Sequence, residues 1–230
     1  MPINIKTGER YNFDFKKLID FPIKYYNSKQ FSRYLSDWQA LLYRFDNMAE
    51  NEYNFFVDKC KKDIMSAPEI FQFIQAYTGD QDPYIFHFNI DNIISEIKNL
   101  RLKGKWISVK KLSQMATYDK SIDLNTYNIK RYPIIICSLC QPKSRYLVID
   151  GNTRLNYHLA HHKWFIKYIY YDIKIRSDFL FSIDWAIYNF VNETNILIQD
   201  YQDENLMELN IGNSKIYNED FIKEVNKAYI

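Results

Sequence analysis

The sequence has few of the residues that interrupt or cross-link a chain. Its 230 residues include five glycines, six prolines and three cysteines, and no run approaches 18 consecutive apolar residues. The lack of such a run excludes a typical membrane span, and three cysteines do not suit a disulfide framework. The first residues are charged and hold no apolar signal core. We therefore expect a cytoplasmic protein without a membrane partner.

Aromatic residues, in contrast, are abundant. There are twenty tyrosines and sixteen phenylalanines, and isoleucine, asparagine and lysine are also frequent, which is typical of an AT-rich coding genome. Hydrophobic residues make up 47% and charged residues 25% of the chain. This composition is ordinary for a globular protein, and the length allows one large domain or two small ones with a buried core.

The net charge of +2 conceals a strong separation of charge along the chain. Residues 1–100 hold 12 basic and 14 acidic side chains, residues 101–176 hold 15 and 4, and residues 177–230 hold 3 and 10. The basic block indicates an anionic partner, either a nucleotide or nucleic acid. Alternatively, the acidic tail packs against the basic block and neutralises it. The candidate contacts to nucleic acid are Lys110, Lys111, Lys130 and Arg131.

Apolar residues at helical spacing predict that residues 1–104 are mainly helical. The first long helix runs from Phe31 to about Cys60, with a possible break near Asn51. Ser66 and Pro68 predict the start of a second helix that ends near residue 78. A third occupies residues 91–100. This region offers no evident chemistry, and a surface for a protein partner is one role open to it.

From residue 105 the pattern changes to short strands. We predict strands at 106–109, 133–137, 145–149 and 165–171, with a turn at 141–144 and a helix that begins near Asn152. Helical spacing returns at 179–198 and 218–228. The predicted fold is α+β: a small mixed-sheet domain at 105–176, flanked by the helical region 1–104 and by a helical acidic tail, 177–230, that packs on the core.

One strand-to-helix junction has the residues of an anion site, namely Asp150, Gly151, Asn152, Thr153 and Arg154. The start of a helix has unpaired backbone N–H groups and partial positive charge, and glycine lets the backbone approach a phosphate closely. Arg154 has the geometry to donate two hydrogen bonds to phosphate oxygens. Asp150 is the candidate catalytic residue and the candidate ligand for Mg²⁺.

The phosphate-binding set has one further candidate, His158, which follows Arg154 by one helical turn. The pair Cys137 and Cys140 is a poor zinc site, because structural zinc needs four ligands and no second pair exists. We therefore expect no zinc. Three tyrosines on the last predicted strand are candidates to stack on bases, and they are Tyr168, Tyr170 and Tyr171.

Three segments in order resemble the ParB/sulfiredoxin superfamily: Trp106-Ile107-Ser108-Val109-Lys110-Lys111-Leu112, Tyr132-Pro133-Ile134-Ile135-Ile136, and Tyr146-Leu147-Val148-Ile149-Asp150-Gly151-Asn152-Thr153-Arg154-Leu155. The resemblance covers about 67 of the 230 residues. It implies a small mixed sheet whose loop from Asp150 to Arg154 binds a nucleotide or another phosphate. Members include partition proteins that hydrolyse CTP, free-serine kinases, sulfiredoxins and proteins described as nucleases.

The chain departs from these families at residues that matter for catalysis. Asn152 and Thr153 stand where a sulfiredoxin has its reactive cysteine and histidine, and no glutamate lies between Trp106 and Pro133. The first departure excludes sulfiredoxin chemistry, and the second makes nucleotide binding a firmer expectation than catalysis. The function that the resemblance implies is nucleotide binding with Mg²⁺, by an NTPase or a small-molecule kinase. The alternative is a DNA-binding module, non-catalytic or of the nuclease type, that uses the basic block of residues 101–176.

Overall fold

The chain forms two compact units, the first made of residues 1–87 with 175–230 and the second of residues 88–174. This division differs from the predicted boundaries after residues 104 and 176, because the third predicted helix belongs to the second unit. The computed structural model describes residues 2–5, 7–20, 22, 29–62, 67–75, 83–120, 132–141, 144–173, 175–204 and 214–227.

The first unit is built on two long helices. Helix α1 (Phe15–Asp20) precedes α2 (Lys29–Lys62), and α2 packs against α6 (Ser182–Glu204), while α7 (Glu219–Lys227) follows near the end of the chain. Aromatic side chains fill this core. Trp38 of α2 and Trp185 of α6 are both fully buried, and each packs on Phe221 of α7, with ring centroids 5.4 and 4.6 Å apart. The C-terminal segment therefore packs against α2 of the same unit.

Buried hydrogen bonds join distant segments of the first unit. Tyr34 of α2 donates to Glu193 of α6 at 2.9 Å, and Tyr84 donates to Asp184 at 2.6 Å. Burial, followed by the negative charge of Glu193, raises the pKa of Tyr34 well above its usual value. Asp184 also accepts from the backbone N–H of His87 at 3.0 Å. These carboxylates are satisfied by hydrogen bonds, which offsets the cost of burying them.

One predicted helix is wrong. Residues Ile70–Gln75 form strand β1, which pairs with β2 (Tyr84–Asn89) in a two-stranded sheet. The apolar residues of β1 gain cross-strand partners there, since Phe73 stacks on Phe86 with centroids 6.5 Å apart. Packing across the sheet has overridden the helix start expected at Pro68. Residues 76–80, where we expected the helix to end, lie outside the described residues. The first long helix is continuous through Asn51.

The second unit contains the predicted mixed sheet. Its described elements, in chain order, are α3 (Ile90–Asn99), β3 (Lys105–Ser108), α4 (Val109–Met115), β4 (Ala116–Thr117), β5 (Ile134–Gln141), β6 (Ser144–Asp150), α5 (Asn152–Ala160) and β7 (Phe165–Tyr170). The five described strands have the order β3-β7-β5-β6-β4. β5 and β6 form an antiparallel hairpin, β5 pairs with β7 in parallel, and the edge strand β3 pairs with β7 antiparallel.

Helices α4 and α5 cover one face of this sheet. Leu112 and Leu155 are fully buried against Ile134, Ile136 and Val148. The α+β class and the helical flanks are therefore confirmed, as are the strand before the loop at Asp150 and the helix after it. Helix α4 was not predicted; its seven residues are too few for helical periodicity to stand out. No helix among the described residues is both long and apolar enough to cross a membrane.

Candidate functional site

The loop after β6 has the backbone of an anion site. Gly151 precedes the first turn of α5 with φ of 92°, and it offers no side chain to cap the helix. A Cβ at this position would lie 2.5 Å from Cγ2 of Ile134, so glycine is required both for the left-handed backbone and for packing. Helix α5 begins at Asn152, as expected, and Gly151 is its N-cap residue. The first N–H groups of α5 therefore lack a side-chain acceptor from the N-cap residue.

The side chain of Asn152 has a structural partner on each side. Its amide N–H₂ donates to the carbonyl of Val148 at 3.1 Å, and its oxygen accepts from the backbone N–H of Asp119 at 2.9 Å. Asn156 donates to the carbonyl of Asp119 at 2.6 Å. These bonds hold the segment after β4 against the start of α5. Asn152 thus connects β4 to β6, while Thr153 beside it is partly exposed.

Arg154 is buried, with 6% of its surface exposed, and its guanidinium is engaged within the unit. Nη1 donates to the carbonyls of Tyr132 and Pro133 at 2.6 and 2.9 Å, and Nη2 donates to Oδ2 of Asp150 at 2.7 Å. The hydrogen bonds that we expected Arg154 to donate to a phosphate are therefore made to the start of β5 and to Asp150. A phosphate at this arginine would have to replace Asp150.

Asp150 is the expected ligand for Mg²⁺. Its side chain is one-quarter exposed and forms an ion pair with Arg154. Mg²⁺ needs a near-octahedral set of oxygen ligands. Among the residues that the structure describes, no group of three histidine, cysteine, aspartate or glutamate side chains is placed to hold a metal ion. Mg²⁺ is commonly held by one or two carboxylates together with substrate phosphates and water, so Asp150 as a ligand for Mg²⁺ stays a prediction.

His158 lies one turn beyond Arg154. Burial lowers the pKa of His158 below the usual value for histidine, and Lys163 acts in the same direction, while a hydrogen bond with the backbone of Phe165 opposes them. Its Nδ1 atom is buried without a described partner. The side chain of His158 thus lies near the backbone of Phe165, at the start of β7.

The predicted basic contacts lie in different parts of the structure. Lys110 and Lys111 are exposed at the start of α4, while Lys130 and Arg131 lie outside the described residues. The two described segments around these lysines, 101–118 and 151–171, contain eight lysines and arginines and no aspartate or glutamate. The surface of this part of the unit therefore has an excess of positive charge with no acidic residue from either segment.

Three exposed aromatic residues belong to the same two segments as these basic side chains. Trp106, Trp164 and Phe165 have 69%, 82% and 58% of their surface exposed. Trp164 is joined to the start of α4, because its carbonyl accepts from the N–H of Val109 at 3.0 Å. We call the following residues the basic aromatic surface: Trp106, Lys110, Lys111, Lys163, Trp164, Phe165 and Lys167.

The prediction missed these aromatic residues and chose neighbouring tyrosines. Tyr171 is buried, and Tyr168 packs on the core of the unit. Tyr170 is partly exposed, but its hydroxyl lies 2.7 Å from Oγ of Ser138. A signal was present in the sequence, since each tryptophan of this unit follows a lysine directly. Of the cysteine pair, Cys137 is buried on β5.

The chain was also compared with known proteins. No protein-family model matched it, and neither the curated proteins nor the solved structures gave a match. The resemblance to the ParB/sulfiredoxin superfamily therefore stays a prediction from the three sequence segments.

Proposed function

We propose that the unit of residues 88–174 is a nucleic-acid-binding module and that the basic aromatic surface is its binding face. The observation that supports this most strongly is that two largely exposed indole rings and four exposed lysines belong to two chain segments that contain no acidic residue. Lysines neutralise backbone phosphates, and exposed aromatic rings offer contacts to bases. The basic aromatic surface has four lysines, and none of them forms an ion pair with a described carboxylate. A cytoplasmic location, as expected from the sequence, would suit such a partner.

The test is the salt dependence of binding to short oligonucleotides. Each phosphate contact contributes about −0.7 to −0.9 to the slope of log K against log salt, so four lysines predict a slope of about −3 to −4. The double variant Lys110→Ala/Lys111→Ala should reduce this slope by about 1.5.

A charge-matched control is available in the first unit. Lys61 and Lys62 are adjacent, exposed and at the end of α2. The variant Lys61→Ala/Lys62→Ala removes the same charge and should leave the slope unchanged. Equal changes in both double variants would mean that net charge, and not this surface, determines binding. No binding at low salt would contradict the proposal.

A nucleotide-binding function at the loop is the second candidate, and one feature favours it. Gly151 has a positive φ and leaves the start of α5 without a side-chain cap, which is the backbone arrangement of many phosphate sites. Thr153→Asp tests this without touching the buried contacts of Arg154. An acidic residue in the first turn should preserve or improve stability but repel a phosphate.

Thermal shifts with ATP, CTP and GTP, each with and without Mg²⁺, provide the measurement. A nucleotide that binds only the folded state raises its melting temperature. A shift that disappears in Thr153→Asp would support a site at this loop. A shift retained in that variant would place the nucleotide elsewhere, and no shift for the unmodified chain would contradict this candidate.

A further inference from the structure

The pairing of β3 with β7 determines which side chains share a face of the sheet. Ile107 lies opposite Ile166, and both point to the core beneath α4 and α5. The neighbouring positions therefore point to the other face, where Trp106 is opposite Lys167 and Ser108 is opposite Phe165. An indole, a phenyl ring and an ammonium group, all exposed, thus share one side of the strand pair β3–β7.

The position of Lys167 is itself restricted by the chain. A Cβ on Gly104 would lie 2.7 Å from Cε and 3.0 Å from Cγ of Lys167, so the lysine stem lies across the backbone of Gly104. The stem of Lys167 therefore lies on the strand pair, on the side that carries Trp106. The lack of a side chain at Gly104 makes this arrangement possible.

Exposure of these rings is costly unless a ligand covers them. The chain has four tryptophans, and the two in the first unit are fully buried, whereas Trp106 and Trp164 are largely exposed. Contiguous exposed aromatic residues mark binding sites more often than ordinary surface. The surrounding lysines, with no acidic residue in either chain segment, make the surface complementary to a polyanion with aromatic groups of its own.

The spacing of the rings distinguishes a single strand from a duplex. Trp106 and Phe165 are diagonal neighbours on the antiparallel pair, and such positions are about 7–8 Å apart. Bases stacked in a duplex are separated by only about 3.4 Å along each strand, and their faces are covered by neighbouring bases. Two adjacent bases can stack on these rings only if they are unstacked from each other.

We infer that the basic aromatic surface binds single-stranded nucleic acid, with bases stacked on Trp106, Phe165 and Trp164 and phosphates next to Lys167 and Lys163. This inference rests on the proposed function and specifies its substrate class. The contacts are to ring faces and backbone phosphates, so binding depends weakly on base sequence.

Fluorescence anisotropy with three probes tests the inference: a 20-nucleotide dT strand, a 20-nucleotide U strand and a 20-base-pair duplex, all at one salt concentration. Either single strand should bind more tightly than the duplex. Trp106→Ala and Trp164→Ala should each weaken single-strand binding by roughly 10-fold and duplex binding by less than about 2-fold. Phe55→Ala, which removes an exposed ring from α2, is the matched control and should change neither.

The outcomes separate the inference from the proposed function. Two outcomes would overturn the stacking inference and leave nucleic-acid binding intact. The first is equal affinity for the single strand and the duplex. The second is a single-strand affinity that is unchanged in Trp106→Ala but reduced in Lys110→Ala/Lys111→Ala. A lack of binding to all three probes would overturn both. A preference between the dT and the U strand supports the inference in either direction.

Discussion

The two units of the chain use the same residue types in opposite ways. The first unit has 15 basic and 22 acidic residues, and its tryptophans and several of its carboxylates are buried in specific contacts. The second unit has 15 basic and 6 acidic residues, and both of its tryptophans are exposed. Aromatic residues and charges stabilise the first unit, whereas in the second a share of them remains available for a ligand. This difference teaches that burial, and not composition, distinguishes a structural residue from a functional one.

The largest expected effect compares one tryptophan from each unit. Trp38→Ala should lower the free energy of unfolding by about 3–5 kcal/mol, since it leaves a cavity beside Phe190 and Phe221. Trp106→Ala should change it by no more than about 0.5 kcal/mol, because the ring is exposed. Urea unfolding followed by circular dichroism measures both values. Similar losses in the two variants would break the comparison between the units.

The next effect concerns the loop at Asp150. Arg154→Ala should lower the free energy of unfolding by about 2–4 kcal/mol, because it leaves the carbonyls of Tyr132 and Pro133 and the carboxylate of Asp150 without their donor. Lys163→Ala, a nearby exposed cation, should have almost no effect on stability. If Arg154→Ala were as stable as the unmodified chain, the hydrogen bonds of the guanidinium to Tyr132, Pro133 and Asp150 would not contribute to folding. That result would favour the earlier hypothesis that Arg154 binds a phosphate directly.

A smaller effect is expected in the buried polar contacts of the first unit. Glu193 accepts from Tyr34, from Oγ of Ser214 at 2.5 Å and from the backbone N–H of Lys215 at 2.6 Å. Glu193→Gln keeps the shape but removes the charge that strengthens these bonds. A loss of about 1–2 kcal/mol in the free energy of unfolding is expected. Glu219→Gln, at an exposed position of α7, is the control and should cost close to nothing.

The smallest effect is a pH dependence located in the second unit. Because burial lowers the pKa of His158, the unfolded chain binds a proton more readily at this residue than the folded chain does. Above the ordinary histidine pKa of about 6.5, His158 is neutral in both states and folding stability is unaffected by pH at this residue. As the pH falls towards the lower pKa that His158 has in the folded chain, the unfolded chain takes up the proton first and the free energy of unfolding decreases. Melting temperatures between pH 7.5 and 5.5 should fall more for the unmodified chain than for His158→Asn. Identical pH profiles would contradict the burial of this imidazole.

Much of the second unit was predictable because its signals are local. Gly151 and the apolar runs on either side of it mark two strands and a helix, and the hairpin between β5 and β6 follows from the turn at 141–144. Strand β1 was not predictable in this way. Its apolar residues fit either a helix or a strand, and pairing with β2, a contact formed across residues 76–83, decides between them.

The candidate site was predictable only in part. The sequence indicates that the loop from Asp150 to Arg154 starts a helix and that Lys110 and Lys111 lie in a basic block. It does not reveal that the carbonyls of Tyr132 and Pro133 bind Arg154, because those contacts span more than twenty residues. Nor does it reveal which aromatic side chains remain exposed, since the face that Trp106 occupies is set by its pairing with Lys167 on β7.

The most direct test of the difference between the units is the quenching of tryptophan fluorescence by a dT strand. Stacking on Trp106 and Trp164 should quench part of the emission, and the double variant Trp106→Ala/Trp164→Ala should show no quenching from its two remaining buried tryptophans. Two results would contradict the assignment of the basic aromatic surface as the binding face. One is quenching that persists in the double variant. The other is a lack of quenching in the unmodified chain at strand concentrations where anisotropy reports binding.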